Sequence, residues 1–221
     1  MAVRNGGSLG GAGAALIAVL GSACNRGPAP EVRQQLENRE AFTCCNIHYQ
    51  TEDVSDANYW VGKTLPAGTP VKIEKIGRDT ATFRSGDLVL TLTHQYGTGE
   101  ESLQQYLDKV LTKTDPRPRL AVYSSAVRRA IANSKIERGM TRDQVIASLG
   151  YPPTHRTRST QEREWTYWYS RWITYKVSFD ESGKVSDVAG RPAPTAEVPI
   201  RDAETVAAPA AEHPKKGKKK R

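Results

Sequence analysis

Ile136-Glu137-Arg138-Gly139-Met140-Thr141-Arg142-Asp143-Gln144-Val145-Ile146-Ala147-Ser148-Leu149-Gly150-Tyr151-Pro152 decides the fold of the second half of this chain. Gly139 permits a turn, Thr141 is a good helix N-cap, and Gln144 three residues later completes a capping box. Val145, Ile146 and Leu149 supply an apolar helical face. Gly150 accepts a left-handed helix end, and Pro152 sends the chain elsewhere.

Working outward, Ser124 or Ser125 can cap an earlier short helix in which Val127, Ala130 and Ile131 share a face. Downstream, past a loop rich in Arg and Thr, Trp165, Tyr167 and Tyr169 alternate with more polar positions, and Ile173, Tyr175, Val177 and Phe179 do the same. These are two antiparallel strands. Asp180-Glu181-Ser182-Gly183 is a hairpin turn, and 184–188 returns as a third strand. The order is helix, helix, strand, strand, strand, over about 120–190.

The run 136–145, then Leu149-Gly150-Tyr151-Pro152, Trp165 with Tyr167, Val177-Ser178-Phe179-Asp180 and Gly183-Lys184-Val185, resembles the BamE (SmpA/OmlA) lipoprotein domain of outer-membrane β-barrel assembly. The resemblance implies a two-layer domain with two helices on one face of a three-stranded sheet. It also implies partners among outer-membrane assembly proteins or other envelope proteins. Its motif residues build a fold and carry no chemistry.

Before this domain lies a β-rich unit, 42–114. Val71, Ile73 and Ile76, then Ala81 and Phe83, then Leu88, Leu90 and Leu92 form apolar series separated by Gly77-Arg78-Asp79 and Ser85-Gly86-Asp87, which predicts a β-meander. Leu65-Pro66-Ala67-Gly68-Thr69-Pro70-Val71 resembles the turn-plus-strand of bacterial SH3-like barrels. Leu103, Tyr106, Leu107 and Val110 predict a helix over 101–111 that caps the sheet. Asp115-Pro116-Arg117-Pro118 then marks a boundary. The fold class is therefore α+β: a small β-rich unit followed by an ααβββ two-layer domain.

The ends of the chain speak of export. Arg4, an apolar run at 14–20 and Gly21-Ser22-Ala23 before Cys24 have the order of a secretory signal peptide, 1–23, and the run is shorter than the ~20 residues that span a bilayer. Gly-Ser-Ala-Cys resembles the lipobox of bacterial lipoproteins, with Leu20 one place further from the cysteine than the usual leucine. The resemblance implies acylation of Cys24 and a membrane anchor; plain cleavage after Ala23 is the alternative. Asn25 is not the Asp of an inner-membrane retention signal, so the lipid-anchored reading is the periplasmic face of the outer membrane, and the alternative a soluble periplasmic protein. Residues 24–41 read as a polar tether. From 191 the composition turns to Ala, Pro and Glu without periodicity, and 191–221 reads as disordered.

The 221-residue chain is 38% hydrophobic with a mean hydropathy of −0.59, too polar for an integral membrane protein. Of its formal charge of +8, much sits in Lys215, Lys216, Lys218, Lys219, Lys220 and Arg221. Such a run is a solvated tail or, in an exported protein, a holder of anionic lipid or cell-wall polymer such as peptidoglycan. The compartment excludes nucleic acid.

No catalytic set, cofactor motif or metal-ligand spacing emerges, and the protein reads as a non-enzyme. His48, His94 and His155 stand singly, and a lone histidine is more often structural. An enzymatic reading would need a pocket gathering His48, Cys45 and Asp53 or Asp56. Cys44 and Cys45 are adjacent and read as an incidental or structural pair. Alternation places Trp165, Tyr167 and Tyr169 on the core side and Trp168 on the other. Trp168, with Arg171 and Trp172 at the turn between strands, is the expected partner contact, one whose truncation would leave stability unchanged if it is exposed. Two readings follow: a lipid-anchored adaptor in outer-membrane assembly or envelope integrity, and a periplasmic cell-wall or anionic-polymer binding module.

Overall fold

The computed structural model describes residues 27–190. Residues 1–23, expected as a signal peptide, Cys24, and the tail with Lys215, Lys216, Lys218, Lys219, Lys220 and Arg221 lie outside the described residues. The chain runs α1 (Pro30–Leu36), β1 (Glu40–Thr43), β2 (Ile47–Tyr49), β3 (Asp53–Ser55), β4 (Lys63–Leu65), β5 (Pro70–Ile76), β6 (Thr80–Ser85), β7 (Leu88–Thr93), α2 (Leu103–Val110), β8 (Leu111–Thr112), α3 (Arg117–Ala121), α4 (Ser125–Ala132), α5 (Arg142–Leu149), β9 (Glu164–Ser170), β10 (Ile173–Phe179) and β11 (Val185–Ala189).

β5, β6 and β7 form an antiparallel meander, inside a six-stranded sheet of order β3-β7-β6-β5-β1-β8. Its period-two pattern buries Val71, Ile73, Ala81, Phe83, Leu90 and Leu92 while Lys72, Glu74 and Arg84 stay exposed. β2 and β4 pair separately. The Pro66–Thr69 turn leading into β5 is fastened to Thr43, whose hydroxyl donates to Pro66 O at 2.6 Å and whose carbonyl accepts from Gly68 N at 2.8 Å. α2 covers the sheet with Leu103, Tyr106, Leu107 and Val110, and Ser102 and Gln105 make a reciprocal capping box at its start. It begins two residues later than the sequence suggested and ends before Leu111, which leaves the helix to pair with Thr43 as β8.

Two stretches carry more structure than their composition announces. Within 24–41, expected as a polar tether, the described residues include a helix packed on the first unit. Pro30 stands at the start of α1, Val32 and Leu36 share a helical face, and Leu36 and Ala41 are buried. Asn38 takes a left-handed φ of 64°, turning the chain so that Asn38 N donates to Ile73 O at 2.7 Å and Ile73 N to Arg39 O at 3.0 Å. Polar composition hid this, because a helix that buries a single stripe can be polar everywhere else. The boundary expected at Asp115-Pro116-Arg117-Pro118 also opens a short helix. Pro118 lies in the first turn of α3, where its missing N–H costs nothing.

In the second unit α4 and α5 pack on one face of an antiparallel sheet of order β11-β10-β9. The register sets Trp165 opposite Val177, Tyr167 opposite Tyr175 and Phe179 opposite Val185, so the large side chains meet the helices in one layer. The hairpin turn is held by Asp180 Oδ1, which accepts from Ser182 N, the Ser182 hydroxyl and Lys184 N. Both halves of the capping box at Thr141 and Gln144 are formed. α5 differs from expectation in one respect: Ala147 and Ser148 are buried as fully as Val145 and Leu149, so the helix has no solvent stripe of its usual width. The cause is the first unit, which covers its other side; Ile146 packs against both cores.

Because the Thr141 hydroxyl serves a helix packed on two sides, Thr141→Ala is expected to cost about 1 kcal/mol of unfolding free energy. Thr141→Ser should retain most of it, as read from urea denaturation followed by tryptophan fluorescence.

Candidate functional site

The junction of the two units is built around one amide. Asn46 is 1% exposed. Its Nδ2 donates to Ile131 O at 2.7 Å, Ser134 Oγ at 3.0 Å and Ser148 O at 3.1 Å, while its Oδ1 accepts from Ala67 N at 3.0 Å. Its backbone N–H reaches Ala147 O at 3.1 Å. Asn58 extends the network: Nδ2 donates to Asn46 O and to Leu149 O, and Oδ1 accepts from His48 N. A Cβ on Gly150 would meet Asn58 Nδ2 at 2.6 Å, and Gly150 holds a φ of 82°, so the helix end and the close approach both require glycine there. His48 Nε2 shares a 3.0 Å hydrogen bond with Ser134 Oγ. Burial pushes the His48 imidazole down to about 4, and it is neutral at ordinary pH.

A second buried cluster closes the loop after β7. Asp56 Oδ2 accepts from Gln95 N, Tyr96 N, Gly97 N and, at 2.9 Å, from His94 Nδ1. His94 Nε2 faces Glu101 O at 3.0 Å. Both ring nitrogens therefore meet acceptors, which the doubly protonated imidazolium satisfies. Burial opposes that charge, but the bonds to Asp56 and the Glu101 carbonyl and the nearby carboxylates outweigh it and raise the His94 value above 6.5. Glu101 also ties the units together, binding Lys109 at 2.6 Å and accepting from the Thr154 hydroxyl at 3.2 Å.

These histidines are committed to structure. His48, Cys45 and the two aspartates do not converge: Asp56 pairs with His94, His48 turns to Ser134, and Cys45 is disulfide-bonded to Cys44. Among the described residues no group of three histidine, cysteine, aspartate or glutamate side chains is arranged to hold a metal.

The expected partner residues separate. Trp168 does lie on the sheet face away from the helices, but the first unit comes to meet it. Tyr59 stands edge-on to its ring at 6.4 Å and Tyr96 stacks at 6.3 Å, while from the second unit's own loop His155 stacks at 6.3 Å and the Arg156 guanidinium lies 5.8 Å from its centroid. The Tyr59 hydroxyl donates to that of Tyr96, and burial together with this bond pushes Tyr59 up to about 12. Alongside, Trp60 N donates to Trp168 O, Trp60 Nε1 to Ser134 O at 2.6 Å, and the Trp60 ring packs on Tyr169. The outer face of the sheet is otherwise polar, crossed by a Lys176–Glu164 ion pair at 2.6 Å. Free aromatic surface remains at the β9–β10 turn, where Trp172 is 85% and Ile173 42% exposed beside an exposed Arg171.

With this geometry in view, the comparison with known families is specific. Residues 130–189 match the family model described as the outer membrane protein assembly factor BamE domain. The match begins within α4 and ends with β11. No curated protein and no solved structure matches the chain.

Two outcomes follow from the geometry. Trp168→Ala should cost about 2 kcal/mol of stability, since it opens a hole in a packed aromatic group, whereas Trp172→Ala should stay within about 0.5 kcal/mol of the parent in the same denaturation assay. The two histidines should act in opposite directions with pH. The His94 contribution is complete below about pH 6.5 and lost as pH rises through its raised folded value. The His48 contribution is complete above about pH 6.5 and lost on acidification toward 4, by at most about 3 kcal/mol. Urea midpoints across pH should show His94→Gln flattening the alkaline limb and His48→Gln the acid limb.

Proposed function

We propose that this chain is an exported envelope lipoprotein that works as a non-catalytic adaptor in outer-membrane protein assembly, anchored at Cys24 and docking through the β9–β10 turn. The observation that carries the reading is the match of 130–189 to the BamE domain. Its name ties that domain to outer-membrane assembly, and here α5 and part of the outer sheet face are occupied from within. Arg171, Trp172 and Ile173 form the exposed aromatic turn that this sheet offers to a partner. A tryptophan and an arginine at an exposed turn supply the large contact area and the directed hydrogen bonds that concentrate binding energy at interfaces.

The non-catalytic part is supported by chemistry already spent: each buried histidine nitrogen of His94 serves a fixed acceptor, and His48 is held neutral. Trp168 acts here by holding the turn's strand against the first unit, and so contributes to docking through position.

Crosslinking of tagged protein in intact cells, followed by identification of co-purified envelope proteins, tests the reading. Outer-membrane assembly components are expected with the parent chain. They should be lost with Cys24→Ala and reduced at least several-fold with a Trp172→Ala, Arg171→Glu pair that leaves the fold intact. Recovery of peptidoglycan fragments alone would instead favour a cell-wall binding module that uses the basic tail.

A further inference from the structure

The chain is fastened to its own body from its first described residue. A Cβ on Gly27 would meet Arg78 Cα at 2.6 Å and Arg78 O at 3.1 Å, so Gly27 lies backbone to backbone on the turn between β5 and β6. From there Arg33 N donates to Ala29 O at 2.9 Å in α1, Ile76 N donates to the Glu37 carboxylate at 3.1 Å, and Leu36 is buried. Little of the stretch between Gly27 and β1 is slack.

Cys24 stands three positions before Gly27. An extended chain spans at most ~3.3–3.6 Å per residue, so an acyl group on Cys24 brings the membrane surface to within about 10 Å of Gly27. From this we infer that one face of the β-rich unit lies against phospholipid headgroups: the β5–β6 turn, the start of α1 and the loop entering α2. A cavity of about 170 Å³ between Pro28, Val32, Arg78, Thr98 and Gln104 belongs to the same face.

Charge does not set this orientation. Arg33, Lys75 and Arg78 are exposed there, but so are Glu31 and Glu100, and basic side chains near an anionic surface contribute only about 1 kcal/mol each. The shortness of the leash sets it. The inference rests on the anchor of the proposed function and deepens it, because the junction at Asn46 then fixes the bearing of the β9–β10 turn relative to the bilayer.

The test uses the chain from Cys24 onward, coupled through the Cys24 thiol to a maleimide-headgroup lipid in phosphatidylethanolamine–phosphatidylglycerol vesicles. Cys44 and Cys45 are bonded to each other and do not compete. Geometry is thereby measured whether or not cells acylate the protein. Amide hydrogen exchange should slow several-fold at 76–79 and 97–101 on attachment and stay unchanged at 170–173 and 180–183. A Gly/Ser spacer of about twenty residues inserted after Arg26, with a typical reach of about 25 Å, should abolish the protection. Protection confined to 170–173 or 180–183, protection that survives the spacer, or none anywhere would overturn the inference. The intact mass of protein isolated from cells reports acylation separately. An unmodified Cys24 would remove the anchor from the proposed function without altering the exchange result.

Discussion

Everything in the arrangement of the two units depends on satisfying the polar groups of Asn46 and its neighbours away from water. An amide buried to 1% exposure carries two donors and an acceptor, and each left unpaired would cost about 1–3 kcal/mol. Here the partners come from Ile131, Ser134 and Ser148 of the second unit and Ala67 of the first. Sliding or tilting one unit would break several of these bonds at once. Apolar contact alone tolerates such shifts far better, being non-directional. The junction therefore has one geometry, and α5 becomes an interior helix shared by two cores.

That geometry redistributes the aromatic residues. A three-stranded sheet with helices on one side leaves its other side to solvent or to a partner. In this chain Tyr59 and Tyr96 reach across to Trp168 and take up part of that surface, while Trp60 packs on Tyr169 against the helix-side core. The backbone bond from Trp60 N to Trp168 O also occupies part of the β9 edge, which limits the pairing an exposed edge invites. What the first unit does not cover is polar, except for the turn at Arg171-Trp172-Ile173. An addition to the domain has thus narrowed the aromatic surface of its sheet to one projecting turn.

The parts of this structure that were legible in the sequence are those encoded within a few residues. The capping box at Thr141 and Gln144, the glycine end at Gly150, the alternation of β5 to β7 and of β9 to β10, and the Asp180–Gly183 turn all follow from local rules, and they formed as read. The leading helix was missed because its apolar stripe is only Val32 and Leu36 amid charges. The Asp56–His94 clamp joins residues 38 apart and the Asn46–Ser148 bond residues 102 apart, and no spacing announces such pairs. A signal did exist in the phrase Ser148-Leu149-Gly150. A buried serine beside a glycine, on what should be a solvent side of α5, indicates that something polar packs there. The surroundings of Trp168 were not legible for the same reason: alternation says which face a side chain points to, and nothing about what arrives on that face from elsewhere in the chain.

Under the proposed function these constraints act in series. A long flexible tether lets an anchored domain sample many heights and orientations, and a partner must then select among them, which lowers the effective concentration of the competent pose. A chain seated at Gly27 and locked at Asn46 gives up that freedom in advance, during folding. The entropy of orienting the docking turn is offset by burial within the protein, leaving less of it to be lost on binding. The cost is reach, since a partner must come to the layer in which the turn is held. For an adaptor that serves a fixed membrane complex, a short leash and a directional buried junction are therefore two parts of one solution: the first limits where the body can be, and the second limits which way its exposed tryptophan points.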